Sequence, residues 1–297
     1  MLLSTGAQLR VQRYNIFRDW QNKIEEKCSF LCIFPVLCCL VVRFYLTLHW
    51  FLKDYMLETT RGIVLHYNRY NDDSAIVDIF TQSRGSVSFL VRDRRRQRKG
   101  SLHTTLLRPL NIVELVFDFH PSASLQRIQE LHIAHCYTSL PYDPIKETVA
   151  LFLSEFLHNV LRSEVRNEEL YHYILYSLQW YDATSDGLAN FHIAFLIRLT
   201  HYLGFWPNID TKNMLSFFDL KDSIATDTEP QHNFFLKGEE AARLPLFLRM
   251  NIRNMHSFRL NRSQRNRILD VLTAYYKLHV PEFRDLRSLD VLREVLA

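Results

Sequence analysis

The stretch "TRGIVLHYNRYNDDSAIVDIFTQSRGSVSFLVR", residues 60–92, alternates apolar and polar side chains. Successive side chains of a β-strand point to opposite faces, so a period of two is typical of half-buried strands. On this basis Ile63, Leu65 and Tyr67 are expected on one face of the first strand, and His66 on the other. The stretch therefore predicts a β-sheet at the start of this region.

The same alternation continues downstream. The tripeptide "SRG" at residues 83–85 indicates a turn between the second and third strands. The segments "NIVELVFDF", residues 111–119, and "QRIQELHIAH", residues 126–135, supply two more strands. Five short strands favour a sandwich or a small barrel, and five is the strand number of the OB-fold, a partly open barrel that binds oligonucleotides. We predict an OB-fold barrel over residues 56–138.

A dense basic run follows the third predicted strand. Residues 92–99 hold six cationic side chains, and only Asp93 opposes them. Guanidinium groups both pair with phosphate and stack on bases, which predicts contact with nucleic acid. The predicted DNA-binding residues are this run and two arginines that flank it in sequence: Arg84, Arg92, Arg94, Arg95, Arg96, Arg98, Lys99 and Arg108. The alternative is a solvated hairpin tip that keeps the barrel soluble.

Three aromatic side chains lie near this run in the predicted barrel. Tyr67 and Tyr70 are candidate platforms for stacked bases. Phe89 alternates with two valines, so we expect it inside the barrel. Phosphate contacts carry no base information, so the predicted binding is blind to sequence and weakens steeply with salt.

Residues 139–297 have helical rather than alternating periodicity, which makes the predicted fold α+β. Asp143 is expected to cap the first helix, with Pro144 at its first position, and Asn167 to cap the second. A third, apolar helix is expected to be central and to end at Gly204.

Two features interrupt the helical half. Residues 208–238 predict a loop-rich insert, after which helices resume near Glu239, and Ser288 is the expected cap of a short last helix. A second, looser basic stretch is either a solvated helix face or an extension of the nucleic-acid track. It contains Arg249, Arg253, Arg259, Arg262, Arg265 and Arg267.

Residues 1–55 differ from the rest and contain four of the five cysteines. Their uncharged core, residues 30–42, is shorter than the roughly 20 residues that a spanning helix needs. Met56 opens the first predicted strand, so we expect residues 1–55 to precede the true start codon. The alternative is a weak membrane anchor, with the basic run lying on anionic lipid in a membrane-anchored interaction protein.

The sequence offers no catalytic or metal-binding motif, so we predict no enzyme, no cofactor and no metal. The seven glycines are scattered, which excludes a Gly-rich phosphate loop. On a strand, His132 and Cys136 share a face while His135 points away, and the adjacent Asp72 and Asp73 fit a turn better than an acid–base pair. Residues 56–297 carry 29 basic and 28 acidic side chains, so any affinity for polyanions depends on clustering.

Four segments together resemble the RecO family of bacterial recombination-repair proteins. The segments are residues 60–92, "LRPLNIVELVF" (107–117), "RLTHYLGFWPN" (198–208) and "YYKLHVPEFRDLRSLDVL" (275–292). The resemblance implies an OB-fold packed on a helical domain. It also implies a non-enzymatic, cytoplasmic and nucleoid-associated protein of the RecF pathway that binds single- and double-stranded DNA and anneals complementary strands.

The resemblance further implies two protein partners and no small-molecule substrate. With RecR, the protein would help to load recombinase onto strands coated by single-strand-binding protein, whose acidic C-terminal tail would dock on the helical domain. Many family members carry a four-cysteine zinc site after the "LGF.P" segment. Residues 203–223 contain no cysteine, so we predict no structural zinc here.

Overall fold

The structure is a computed structural model that describes residues 56–71, 74–92, 104–209 and 216–296. Several predictions therefore lie outside the described residues. These are the N-terminal extension with its apolar segment, the Asp72–Asp73 pair, and Arg94, Arg95, Arg96, Arg98 and Lys99. Among the described residues, no helix has the length and apolar character to cross a membrane.

The first half is an antiparallel five-stranded sheet with the strand order β3-β2-β1-β4-β5. Its strands are β1 (Met56–Arg69), β2 (Ser74–Thr81), β3 (Gly85–Arg92), β4 (Ile112–Phe119) and β5 (Arg127–His135). The five predicted strands and the α+β class are confirmed.

The sheet curls until its edge strands meet, but it does not close into a complete barrel. One parallel bridge, between Phe89 and Gln126, joins β3 to the start of β5. The Leu90 N–H donates to the Gln126 carbonyl, and the Gln126 N–H donates to the Ser88 carbonyl, each at 2.9 Å. The result is an OB-like sheet in which a single residue forms the closing seam.

A β-bulge in β1 changes which side chains face the interior of the sheet. The register with β2 shifts between Val64 and His66. Val64 and Tyr67 therefore pack in the interior, whereas Ile63 and Leu65 pack in the core shared with the helices. The prediction that Tyr67 shares a face with Ile63 and Leu65 is wrong, because a bulge inserts one extra residue and reverses the alternation.

In the described residues after the sheet there are six α-helices. They are α1 (Pro144–Val160), α2 (Glu168–Ala183), α3 (Phe191–Tyr202), α4 (Glu239–Leu248), α5 (Arg262–His279) and α6 (Ser288–Val295). The predicted caps are confirmed: the Asp143 carboxylate accepts two N–H groups of the first turn of α1, and Asn167 accepts the Leu170 N–H. Gly204 follows α3 with a φ of 84°, which suits glycine, and α3 is buried almost all round.

The structure adds detail to one prediction about the helical half and corrects another. The insert contains a small antiparallel sheet with the order β7-β6-β8, and its strands are β6 (Phe217–Asp219), β7 (Ile224–Thr226) and β8 (Phe235–Lys237). Strands of three residues are too short to show a period of two. Ser288 is the first residue of α6 rather than its cap, because its hydroxyl donates to the Glu155 carboxylate on α1.

The sheet and the helices share one hydrophobic core. Ile63 and Phe80 of the sheet pack in the same buried cluster as Phe152 and Phe156 of α1. The Ser154 hydroxyl on α1 also donates to a carbonyl of β1. The helical half therefore covers the side of the sheet formed by β1 and β2.

Candidate nucleic-acid interface

The basic run begins at the end of β3. Arg92 is the one member of residues 92–99 that the structure describes, and its backbone pairs in register with Ser74, the first residue of β2. The Ser74 carbonyl also accepts the N–H groups of Tyr70 and Asn71 at 3.0 and 3.1 Å. The run therefore begins beside the β1–β2 turn.

The β4–β5 loop lies on the other side of β3. Leu90, two residues before Arg92, is bonded to Gln126 at the end of that loop. In OB-folds the β1–β2 and β4–β5 loops take part in binding oligonucleotides. The two loops and the start of the basic run therefore lie at one end of the sheet. We call this region the loop end.

The Gln126 side chain, only 3% exposed, fixes the shape of the β4–β5 loop. Its amide oxygen accepts the His120 N–H at 2.8 Å, and its amide nitrogen donates to the carbonyls of His120 and Ala123 at 2.9 and 2.8 Å. Residues 121–124, on the outer side of this loop, are exposed. The basic run thus begins next to a rigid polar loop.

Three exposed side chains lie at the loop end: the predicted Tyr70 and two further residues, Arg69 and Arg127. Tyr70 is 68% exposed, whereas Tyr67 is partly buried and Phe89 is fully buried, as predicted for Phe89. Arg69, at the end of β1, and Arg127, at the start of β5, are exposed. The sequence analysis did not select these two arginines. Each is a basic residue at the end of a predicted strand, but only the strand order brings both near the run.

Arg84 lies at the opposite end of β3 from Arg92. Eight residues of extended chain separate them, which corresponds to roughly 25 Å. The Arg84 Nε is 2.9 Å from the Glu58 carboxylate, and its guanidinium lies 4.1 Å from the centre of the Phe119 ring. The structure therefore does not bring Arg84 together with the basic run.

Arg108 lies where the chain returns from the run to the sheet. It follows a short 3-10 turn, and its guanidinium is exposed and 3.6 Å from the Glu147 carboxylate of α1. An exposed ion pair of this kind contributes little stability, so the guanidinium can exchange this partner for a phosphate.

The second basic stretch divides into two groups. Arg262 and Arg265 donate to backbone carbonyls, including two in the last residues of the chain, and Arg267 forms two hydrogen bonds with Glu240. Arg249, Arg253 and Arg259 are exposed, and none of them forms an ion pair with a described residue.

An apolar cavity of about 290 Å³ lies between α4, α5 and the small sheet. Arg243 pairs with Glu239 at its edge, and Arg267 pairs with Glu240. These pairs neutralise the arginines, so the cavity does not continue a basic surface. In the described residues, no group of three or more His, Cys, Asp or Glu side chains has an arrangement that could hold a metal ion.

The fold and the loop end define an α+β protein with an N-terminal OB-like sheet and a helical C-terminal half. Two family models match the chain: "Recombination protein O N terminal" at residues 56–137 and "Recombination protein O C terminal" at residues 141–290. The chain belongs to the RecO family of DNA repair proteins.

Similar curated proteins agree with this assignment. The chain is 43% identical over 242 residues to the DNA repair protein RecO of Phocaeicola vulgatus, which covers 82% of this chain and 100% of that protein. It is 42% identical over 241 residues to the same-named protein of Bacteroides fragilis, covering 81% of this chain and 99% of the relative. It is 33% identical over 240 residues to the DNA repair protein RecO of Porphyromonas gingivalis, and the match covers 80% of this chain and 98% of that protein.

Proposed function

We propose that this protein is a non-enzymatic DNA-binding mediator of recombinational repair. It binds single- and double-stranded DNA, anneals complementary strands and helps to load recombinase onto strands coated by single-strand-binding protein. The observation that carries the proposal is the position of the basic run, which begins between the two loops of an OB-like sheet.

The proposed contact is mainly electrostatic. Arg92, Arg94, Arg95, Arg96, Arg98 and Lys99 neutralise successive phosphates, and the exposed Arg69, Arg108 and Arg127 add further positive charge to this contact. Binding releases condensed counterions, so the affinity falls steeply as salt rises. Tyr70 offers one exposed ring on which a base stacks. We leave the predicted residue Arg84 out of the proposed contact, because it pairs with Glu58 at the end of β3 away from Arg92.

Annealing follows from the same chemistry. A cationic segment screens two phosphate chains at once without holding their bases, so complementary strands can pair on it. Because phosphate contacts carry no base information, binding and annealing are independent of sequence.

The proposal includes two protein partners, RecR and the acidic C-terminal tail of single-strand-binding protein, and no small-molecule substrate. Such a protein works in the cytoplasm, associated with the nucleoid. Co-purification of the intact chain with each partner, with and without DNA, tests this part separately from DNA binding.

The main test is a titration of the protein with a labelled single-stranded oligonucleotide at several salt concentrations. We compare the wild type with R94E/R95E/R96E and with a matched control, R162E/R284E/K221E. The control exchanges three exposed basic residues of the helical half that form no ion pair with described residues. The slope of log affinity against log salt should fall by about 2 in the run variant, since each phosphate contact on a single strand contributes about 0.7.

The control variant should retain most of the affinity, and both variants should keep the thermal midpoint of the wild type. Equal losses in the two variants would show that only net charge matters and would refute the site. If the wild type bound anionic vesicles but no DNA, a membrane-surface function would replace this proposal.

A further inference from the structure

Three arginines of the second basic stretch, which form no ion pair with a described residue, lie in one turn, residues 249–259, which we call the asparagine turn. Asn251 and Asn254 hold its backbone. The Asn251 side chain accepts the Arg253 N–H at 2.9 Å, and the Asn254 side chain accepts the Asn251 N–H at 2.8 Å and donates to the Arg249 carbonyl at 2.9 Å. This network holds the backbone of residues 249–254, which carries Arg249 and Arg253.

The turn is also anchored to the helical core. Met250, Ile252 and Met255 are buried beneath it. From the segment before α3, the buried Asn190 side chain donates to the carbonyls of Met255 and Phe258, at 3.1 and 2.7 Å. The apolar side chains therefore point inward, while Arg249, Arg253 and Arg259 are exposed.

We propose that Arg249, Arg253 and Arg259 form a second phosphate-binding surface, which holds a second nucleic-acid strand on the helical half. This inference rests on the proposed function, because it assumes that the first strand binds at the loop end. The two surfaces belong to different parts of the fold. The loop end is built from the five-stranded sheet, whereas the asparagine turn packs on the segment that begins α3.

Nucleic acid fits this turn better than an acidic peptide does. The exposed positions between the arginines include His256 and Ser257, and polar side chains of this kind join arginine in contacting phosphate oxygens. A peptide partner would draw most of its affinity from apolar anchors in buried pockets. In the asparagine turn, the apolar side chains between Arg249 and Arg253 are already buried in the protein's own core.

Two separate surfaces make annealing a reaction within one complex. One strand lies at the loop end and a second at the asparagine turn, so the effective concentration of each strand for the other depends on their separation and not on bulk concentration. The asparagine side chains already hold the backbone of residues 249–254, so binding a phosphate there orders the arginine side chains but not the chain itself, which favours the turn as a binding surface.

Native mass spectrometry of the full chain with two non-complementary oligonucleotides of different mass tests the proposal. The wild type should form a complex with two strands. The variant R249Q/R253Q/R259Q should retain one strand. Its affinity for the second strand should fall by about 100-fold at 0.1 M salt, because three phosphate contacts are lost and each contributes about 0.7 to the slope of log affinity against log salt. The matched control R162Q/R284Q/K221Q should retain two strands.

The run variant R94E/R95E/R96E separates this inference from the proposed function. It should retain the strand at the asparagine turn and lose the other. Loss of one strand in the run variant, with no change in R249Q/R253Q/R259Q, would overturn the inference and leave the proposed function intact. A wild type that binds no strand would overturn both. If the glutamine variant lost affinity for polyglutamate and none for DNA, the turn would be a protein-binding surface and the inference would be wrong.

Discussion

Two polar junctions attach the five-stranded sheet to the helices, and they differ in burial and chemistry. At the linker junction, the Asp182 carboxylate is 4% exposed and accepts the N–H groups of Thr138, Ser139 and Leu140 at 2.7–2.9 Å. The buried Lys146 ammonium donates to the Asp182 carbonyl at 3.0 Å, beside this network.

At the second junction, which we call the histidine junction, the partners are less buried: Asp78 and His158 are half-buried, and His66 is exposed. The His158 Nε2 on α1 lies 2.9 Å from the Asp78 carboxylate on β2, which also accepts the Ser88 hydroxyl. The His66 ring of β1 stacks on His158, with 4.5 Å between the ring centres.

The two junctions differ in how their stability responds to pH. Burial opposes ionisation of Asp182, but three backbone N–H bonds and the Thr138 hydroxyl outweigh it and lower the pKa to about 2. The linker junction therefore stays charged near neutral pH. At the histidine junction, burial and the neighbouring His158 lower the pKa of His66, so that its protonation in acid weakens the junction.

The largest effect is expected at the linker junction. Asp182→Ala should reduce the free energy of unfolding by about 3–5 kcal/mol, because the N–H groups of Thr138, Ser139 and Leu140 and the Thr138 hydroxyl lose their charged acceptor. Asp182→Asn, which keeps one acceptor oxygen, should lose less. Denaturant unfolding of the three proteins measures this. A loss below about 1 kcal/mol for the alanine variant would mean that the two junctions do not differ in stability as described.

A steric contact between the sheet and the helical half ranks second. A Cβ at Gly85 would lie 2.4 Å from the Glu164 carbonyl oxygen, and the Gly85 φ is +78°. Gly85→Ala should therefore cost about 2–4 kcal/mol, from backbone strain and overpacking.

Gly204→Ala is the matched control for this second prediction. Gly204 has a φ of +84°, but no heavy atom lies within 4 Å of the position that an alanine Cβ would take, so the variant carries the strain without the clash. It should cost about 1–2 kcal/mol. Equal costs for the two variants in thermal or denaturant unfolding would show that the contact between the β2–β3 turn and Glu164 is not tight.

The smallest expected effect is the change in the free energy of unfolding with pH. Burial lowers the pKa of His192 on α3 to about 3, and that of His66 is lowered as well. Between pH 6.5 and 5 the unfolded chain binds more protons than the folded one, so the free energy of unfolding falls as the pH falls. His192 alone accounts for about 2 kcal/mol over this range.

His66→Gln isolates the contribution of the histidine junction to that pH dependence. The groups facing His66 are His158, Asp78 and Glu155, and the lowered pKa of Asp78 acts below about pH 4, outside this range. The variant should therefore show a shallower loss of stability between pH 6.5 and 5. Parallel curves for the variant and the wild type would show that this junction is as insensitive to pH as the linker junction.

Local signals in the sequence predicted most of the fold. The alternation of residues 60–92 and the caps at Asp143, Asn167 and Gly204 are visible because each depends on neighbours in sequence. The bulge in β1 and the three-residue strands of the small sheet were missed, since neither produces a periodic pattern.

The candidate site was predictable only in part, for the same reason. The basic run is a local cluster and stands out in the sequence, whereas Arg69 and Arg127 approach it only through the order of the strands. Arg84 was grouped with the run because it is near in sequence, but an extended strand carries it to the other end of the sheet.

Because a single bridge at Gln126 joins β3 to the start of β5, this contact can open and close separately from the rest of the sheet. Two backbone hydrogen bonds, from Leu90 and Gln126, hold the seam, and together they contribute about 1–3 kcal/mol. Amide hydrogen exchange at these two positions should therefore be much faster than in the ladder between β1 and β4, whose exchange requires wider unfolding. The seam between β3 and β5 is therefore expected to open at a lower free-energy cost than the strand pairs on either side of it.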